Sequence, residues 1–204
     1  MPTAITETPS LPPPLEPPRK RWTREECDAL ECSGIWDQQH LELIEGELIN
    51  KMGKKRPHTI SLVRVQAWLV RVFGEQYVNP ETPIDVAPGD NPINEPEPDL
   101  IVLARDQDEI TSQNPQPAEV LLVVEIADTS VKFDLTVKAR LYARAGIADY
   151  WVVDIPARRI IVHRDPRDGQ YRSVTAYTSQ ESVSPLASGD HEFLVGTAFP
   201  VVHS

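Results

Sequence analysis

PDLIVLARDQDEITSQNPQPAEVLLVVEIADTSVKFDLTVKARLYARAGIADYWVVD, residues 98–154, is the stretch whose reading decides the fold. Leu100 to Ala104 is a short apolar run with an acid, Asp99, just ahead of it. Val120 to Ile126 is a second run, apolar throughout except for Glu125, as expected of a strand buried on both faces. The polar, turn-rich segment Arg105 to Glu119 connects the two. A helical pattern follows from about Lys132 to Ala145 and is closed by Gly146, a residue suited to the left-handed helix stop. Tyr150 to Val153 is the third apolar run. Strand, strand, helix, strand is the grammar of an α/β domain with a mixed β-sheet flanked by α-helices.

Upstream, Thr23-Arg-Glu-Glu26 is a capping box that predicts a short helix running to about Trp36. The segment between His40 and Lys51 alternates apolar and polar residues on either side of Glu45-Gly46, predicting a hairpin. Pro57 then opens an amphipathic helix, His58 to Phe73, with Leu62, Val65, Leu69 and Val72 on one stripe and Gly74 as its stop. Short strands are predicted at Tyr77-Val78 and Ile84–Val86. Downstream, Arg159 to His163 pairs with Tyr150 to Val153 around a turn at 154–157, and Tyr171 to Tyr177 makes an outer strand. The remainder reads as a weakly patterned tail. Trp68 and Trp151 fall within apolar patterns and are expected in the core.

With 204 residues, 40% of them hydrophobic, the chain can bury one sizeable core. Seven of its 20 prolines lie in the first 20 residues, among few large apolar side chains. Residues 1–21 are therefore expected to be a disordered proline-rich tail, and 22–204 a single domain. No apolar run approaches the roughly 18 residues of a membrane span, and the N-terminus lacks the layout of a secretory signal. Cys27 and Cys32 stand five residues apart on one predicted helix, too far for a bridge, so a reducing cytoplasm fits. The net charge of −11 speaks against a general nucleic-acid coat, though not against an enzyme whose acids hold a metal.

The acids admit two readings. An ionised carboxylate inside an apolar run costs several kcal/mol unless it is paired or holds a metal. Asp99 and Glu125 on neighbouring strands would suit Mg²⁺, with Lys138 from the following helix orienting a water or stabilising charge on a phosphate. The bland alternative is a structural pair, Glu125–Lys138 or Asp134–Lys138, the latter at favourable helical spacing. His163, His191 and His203 have no metal-ligand spacing, and neither a glycine-rich phosphate loop nor a Gly-x-Ser-x-Gly elbow is present.

ELIEGELI at 42–49, the helix from His58, PDLIVL at 98–103, VVEIADTS at 123–130, the spaced Asp134, Lys138 and Tyr142, and AGIADYWVVD at 145–154 together resemble the Uma family of endonucleases. That family is greatly expanded in cyanobacteria and falls within the PD-(D/E)XK, restriction-endonuclease-like superfamily. The resemblance covers most of residues 40 to 165. It implies a restriction-endonuclease-like fold, an Mg²⁺-dependent (or Mn²⁺-dependent) endonuclease, and Asp99 and Glu125 as the metal-holding acids. The lysine that the superfamily places two residues after the glutamate is Ala127 here. Lys138 becomes the candidate, ahead of Lys132, and Glu47 matches a further acid that would complete the site. His58 is read as a helix-start or supporting residue.

If DNA is the substrate, Lys51, Lys54, Lys55 and Arg56, followed by Arg64 and Arg71 on the helix, are the phosphate-binding candidates. A homodimer would suit double-strand cutting. Two rival functions remain: a catalytically inactive binding or assembly module on the same fold, marked by Lys138 paired away from Glu125, and a partner protein acting through the proline-rich tail.

Overall fold

The computed structural model describes residues 19–34, 41–51 and 55–201. Helix α1 (Arg24–Cys32) begins with the expected capping box: Thr23 and Glu26 satisfy one another's backbone N–H groups. It stops four residues short of the expected end, and Gly34 turns with φ of 74° just beyond it; Trp36 lies outside the described residues. Strands β1 (Leu41–Ile44) and β2 (Glu47–Asn50) form a hairpin. Its two-residue turn, Glu45-Gly46, has φ of 52° and 74°, the positive pair that a tight primed turn demands. A Cβ on Gly46 would meet the Arg21 Cβ at 2.9 Å, so glycine is required there for space as well as for φ.

Helix α2 (Arg56–Phe73) is followed by β3 (Val78–Pro80), β4 (Leu100–Leu103) and β5 (Val120–Ala127). Helix α3 (131–145) is continuous but irregular: an opening turn Val131–Phe133, a π segment Asp134–Lys138 and a closing α segment Ala139–Ala145. Gly146, at φ 78°, ends it as expected. Then come β6 (Asp149–Asp154), β7 (Arg159–Arg167) and β8 (Gln170–Thr178). One six-stranded sheet runs β3-β4-β5-β6-β7-β8, with β5 and β6 parallel and every other pair antiparallel. The parallel pair is the one that α3 connects, as a crossover requires.

Strand alternation divides the core in two. Leu100, Val102, Leu122, Val124, Trp151 and Val153 face Leu62, Val65, Trp68 and Leu69 of α2. Ile101, Leu103, Val123, Tyr150 and Val152 face Ala139 and Tyr142 of α3. Trp68 and Trp151 are both core residues, their rings 6.5 Å apart. The β1–β2 hairpin covers the outer side of α3, where Ile44 meets Val86 and Leu141.

Two expectations are corrected. Ile84 and Val86 are buried, but Ile84–Val86 is not a strand. Pro83 and Pro88 bracket it, and its amides go to the carbonyls of Pro96 and Pro115 and to the Asn91 side chain, not to a ladder. The weakly patterned C-terminal stretch is no loose tail either. Strands β9 (Ser182–Val183) and β10 (Phe193–Leu194) pair, and Val195, Ala198 and Phe199 are buried against the α2 side of the sheet.

Asp149, fully buried at the start of β6, ties this outer region to the sheet. It accepts from Arg164 Nε at 2.9 Å, from Trp151 Nε1 at 2.9 Å and from the Leu186 amide at 2.8 Å. Asp149→Ala strands all three donors and is expected to cost about 3 kcal/mol in a urea titration, the low end for a broken buried pair because Arg164 keeps some contact with water.

Candidate active site

The same alternation that divides the core puts Asp99 and Glu125 on one face. Glu125 lies between Val123 and Ala127, both on the α3 side. The β4–β5 register ends at Leu100↔Val124, so one step further sets Asp99 opposite Glu125. Asp99 Oδ2 accepts the Ile126 amide at 2.7 Å, which locks the carboxylate to β5. Its Oδ1 lies 3.3 Å from His58 Nε2, in the first turn of α2.

Glu125 points at α3. Lys138 Nζ donates to its Oε1 at 2.9 Å, and so does the Tyr142 hydroxyl at 2.9 Å. Lys138 and Tyr142 are one helical turn apart and therefore share a face. The π segment sets their phase: the Ala139 amide reaches back five residues to the Asp134 carbonyl, which also receives the Tyr150 hydroxyl at 3.0 Å. Such a widened turn is a common way to re-aim a side chain at a functional position. Asp134 bonds directly to the Ser130 hydroxyl at 2.6 Å, so the sequence-adjacent Asp134–Lys138 bond is not the one that holds the lysine.

The second partner of Lys138 is Glu42 of β1, at 3.0 Å. Sequence reasoning missed this residue and chose Glu47. The hairpin register explains the correction. Glu42 pairs with Ile49, deep in the cavity, whereas Glu47 pairs with Ile44 beside the turn, one repeat further out. Glu47 is accordingly exposed and faces Arg19. The only hint in sequence was that Glu42 sits first in the apolar-polar alternation of ELIEGEL, at the end away from the turn.

Glu42, Asp99, Glu125, Asp134 and Lys138 are each at most 6% exposed. Four buried carboxylates thus surround one ammonium and one imidazole. Burial pushes the Glu125 carboxyl up to about 8; Asp134, Asp99 and Glu42 add to the rise and Lys138 opposes it. Burial likewise raises Asp134, to about 6, with Glu42 and Asp99 adding and Lys138 and Ser130 opposing. Burial alone would also raise Asp99, but His58 and the Ile126 amide outweigh it and hold the acid below its ordinary value. For Lys138, burial favours the neutral amine, yet Glu125, Glu42 and Asp134 more than offset this and keep it an ammonium. Burial, then Glu125, hold the Tyr142 phenol far above its usual range, so it remains a donor.

Glu42, His58, Asp99, Glu125, Asp134 and Lys138 line a cavity of about 580 Å³ between the hairpin, the start of α2 and the start of α3. Lys51 and Lys55 also line it. Lys51 is held by the Glu97 carboxylate at 2.9 Å, and Lys55 is exposed. Arg56 is exposed, and Lys54 lies outside the described residues. Arg64 is corrected: its guanidinium caps the Thr197 and Phe199 carbonyls and so serves the C-terminal packing. Lys132 is exposed, whereas Lys138 is buried and lines the cavity. Among the described residues no three His, Cys, Asp or Glu side chains close into a ready metal-binding set. Asp99 and Glu125 are the pair of hard-oxygen donors that face each other across the strands.

The mixed sheet with a buried carboxylate pair at the β4–β5 end is a restriction-endonuclease-like fold. Residues 24–192 match the Uma2 family, whose description is "Putative restriction endonuclease", and the chain belongs to that family. The fold is also that of a crystal structure described as a "putative nuclease belonging to DUF820" from Anabaena variabilis. The TM-score is 0.60 at 16% identity, covering 78% of this chain and 89% of that one. No curated protein matches the chain. No helix among the described residues is long and apolar enough to cross a membrane.

Proposed function

We propose that this protein is a metal-dependent nuclease that hydrolyses phosphodiester bonds of nucleic acid. The observation that carries the reading is the charge imbalance at the cavity floor: four buried carboxylates against one lysine and one histidine. Such an excess of buried acids is relieved either by protonation, as the raised Glu125 and Asp134 carboxyls show, or by a further cation that replaces those protons. The donor set fits Mg²⁺ or Mn²⁺, because Mg²⁺ is commonly held by one or two carboxylates and keeps several waters, for which the cavity has room. Asp99 and Glu125 would hold the ion. When bound, it would lower the pKa of a water and neutralise charge on the phosphate.

The chain's own residues do the rest. The Ile126 amide and His58 fix the Asp99 carboxylate. Tyr142 fixes Glu125. Lys138, kept charged by Glu125 and Glu42, would supply a preorganised positive group beside the reacting phosphate. The rival of an inactive module expected Lys138 to be paired away from Glu125 with no room for a metal; Lys138 forms the Glu125 pair that a structural role would also make, but it does so beside an open cavity. The family's description and that of the structural relative support a nuclease.

Relaxation of supercoiled plasmid and cutting of labelled single-stranded DNA and RNA, with and without Mg²⁺, test this reading; a folded protein that leaves all three intact at millimolar Mg²⁺ or Mn²⁺ would overturn it. Glu42→Gln is expected to lower kcat by about ten- to a hundredfold while calorimetry still detects the divalent ion, since Glu42 acts on the lysine and not on the metal.

A further inference from the structure

The cavity has two unlike surfaces. Its floor is the carboxylate cluster, and part of its wall is apolar. Ile49 and Phe133 both line it, and both rest on the small core of Ile44, Val86 and Leu141, which holds them in place. At the rim, Lys55 is 68% exposed, with only a 4.0 Å approach to Asp128. The volume of about 580 Å³ falls within the roughly 300–1,000 Å³ of pockets that hold small organic ligands.

Depth is the second observation. Asp99 and Glu125 are 6% and 4% exposed, beneath the hairpin on one side and the starts of α2 and α3 on the others. A phosphodiester in an intact duplex is backed by stacked base pairs, which keep it on a convex surface and away from acids this deep. A nucleotide free of its stack can descend to them, as enzymes that act on extruded bases require. An aromatic face beside the reacting group is what a free base needs, because every base has a π-face to stack. A flexible, exposed lysine at the mouth suits the next phosphate along the strand.

We propose that the cavity receives one unpaired nucleotide, its base against Phe133 and Ile49 and its phosphate toward Asp99 and Glu125. The substrate is then single-stranded nucleic acid or an unpaired stretch within a duplex. This inference rests on the nuclease reading for the chemistry, but its test reads binding.

The experiment is fluorescence anisotropy with fluorescein-labelled oligothymidine, oligouridine, an abasic strand and a blunt, fully paired two-strand duplex of equal charge, on wild type, Phe133→Leu and Phe133→Tyr. Phe133→Leu fills the wall without a ring, and thermal melting verifies that each variant is folded. One of the two base-bearing strands should bind about tenfold more tightly than the duplex or the abasic strand. Phe133→Leu should lose most of that margin and Phe133→Tyr should keep it. Preference for either sugar supports the proposal and identifies the strand. A duplex or abasic strand that binds as well as the base-bearing strands, or a folded Phe133→Leu that binds them like wild type, overturns it. Strand-selective binding without Mg²⁺-dependent cutting would remove the hydrolytic reading and leave this inference standing.

Discussion

Glu125→Ala is expected to bind no Mg²⁺ by calorimetry and to relax no plasmid, a loss of about a thousandfold or more in rate. Glu125 is the deepest of the facing acids and the one that Lys138 and Tyr142 both address, so its removal takes away a metal oxygen and the anchor of the lysine together. The variant also separates metal loss from unfolding through pH. An acid whose pKa is raised by folding stabilises the folded state fully below its unfolded value, and that contribution is lost as pH rises through the folded value. With Glu125 moved from the ordinary 4.5 to about 8, metal-free wild type should become less stable across that window. Mg²⁺ should restore the melting temperature at pH 8 in wild type, by mass action on the folded state, and leave Glu125→Ala unchanged. Equal responses of the two proteins to Mg²⁺ would remove Glu125 from the metal site.

Lys138→Met is expected to be the most destabilising change in the site. Glu42, Glu125 and Asp134 all face this ammonium inside the protein, and taking away the cation of a buried cluster costs about 3–5 kcal/mol. The sign with pH is that of an ordinary ion pair, lost as the acids take protons, but the window lies at higher pH because Glu125 and Asp134 are raised to about 8 and about 6. Without the ammonium the Glu125 and Asp134 carboxyls are pushed further up, so the variant's deficit should be largest near pH 8 and shrink toward pH 5, where they can take protons. Urea titrations at both pH values measure it. A deficit that is constant with pH would mean that Lys138 contributes packing and not charge. Plasmid relaxation should be abolished even where the variant is folded.

The element types around residues 98–154 were legible because the chain there obeys simple periodicities: continuous apolar runs for β4, β5 and β6, and a helix with a glycine stop for α3. Asp99 and Glu125 were legible for the same reason, since a carboxylate inside or just before an apolar run stands out. The 84–86 segment misled because a buried extended stretch has the composition of a strand whether or not a neighbour pairs with it. The C-terminal segment hid its core role because Phe193, Val195 and the adjacent Ala198 and Phe199 are buried without a sustained repeat to announce them.

By itself, the sequence determined a mixed α/β sheet, the helix α3, and an acid just before one strand and within the next, because strand alternation and helical spacing are local properties of the chain. Tertiary structure alone decided which lysine and which third acid joined them. Glu42 and Glu47 are equally plausible on a two-faced hairpin, and only the docking of that hairpin on α3 buries one and exposes the other. Lys138 is aimed at Glu125 by a π turn that no residue pattern announces, and Arg64 is drawn to C-terminal carbonyls more than 130 residues away. Each of these contacts joins distant parts of the chain, and the physics that selects them, burial and charge pairing, acts only once the fold has brought those parts together.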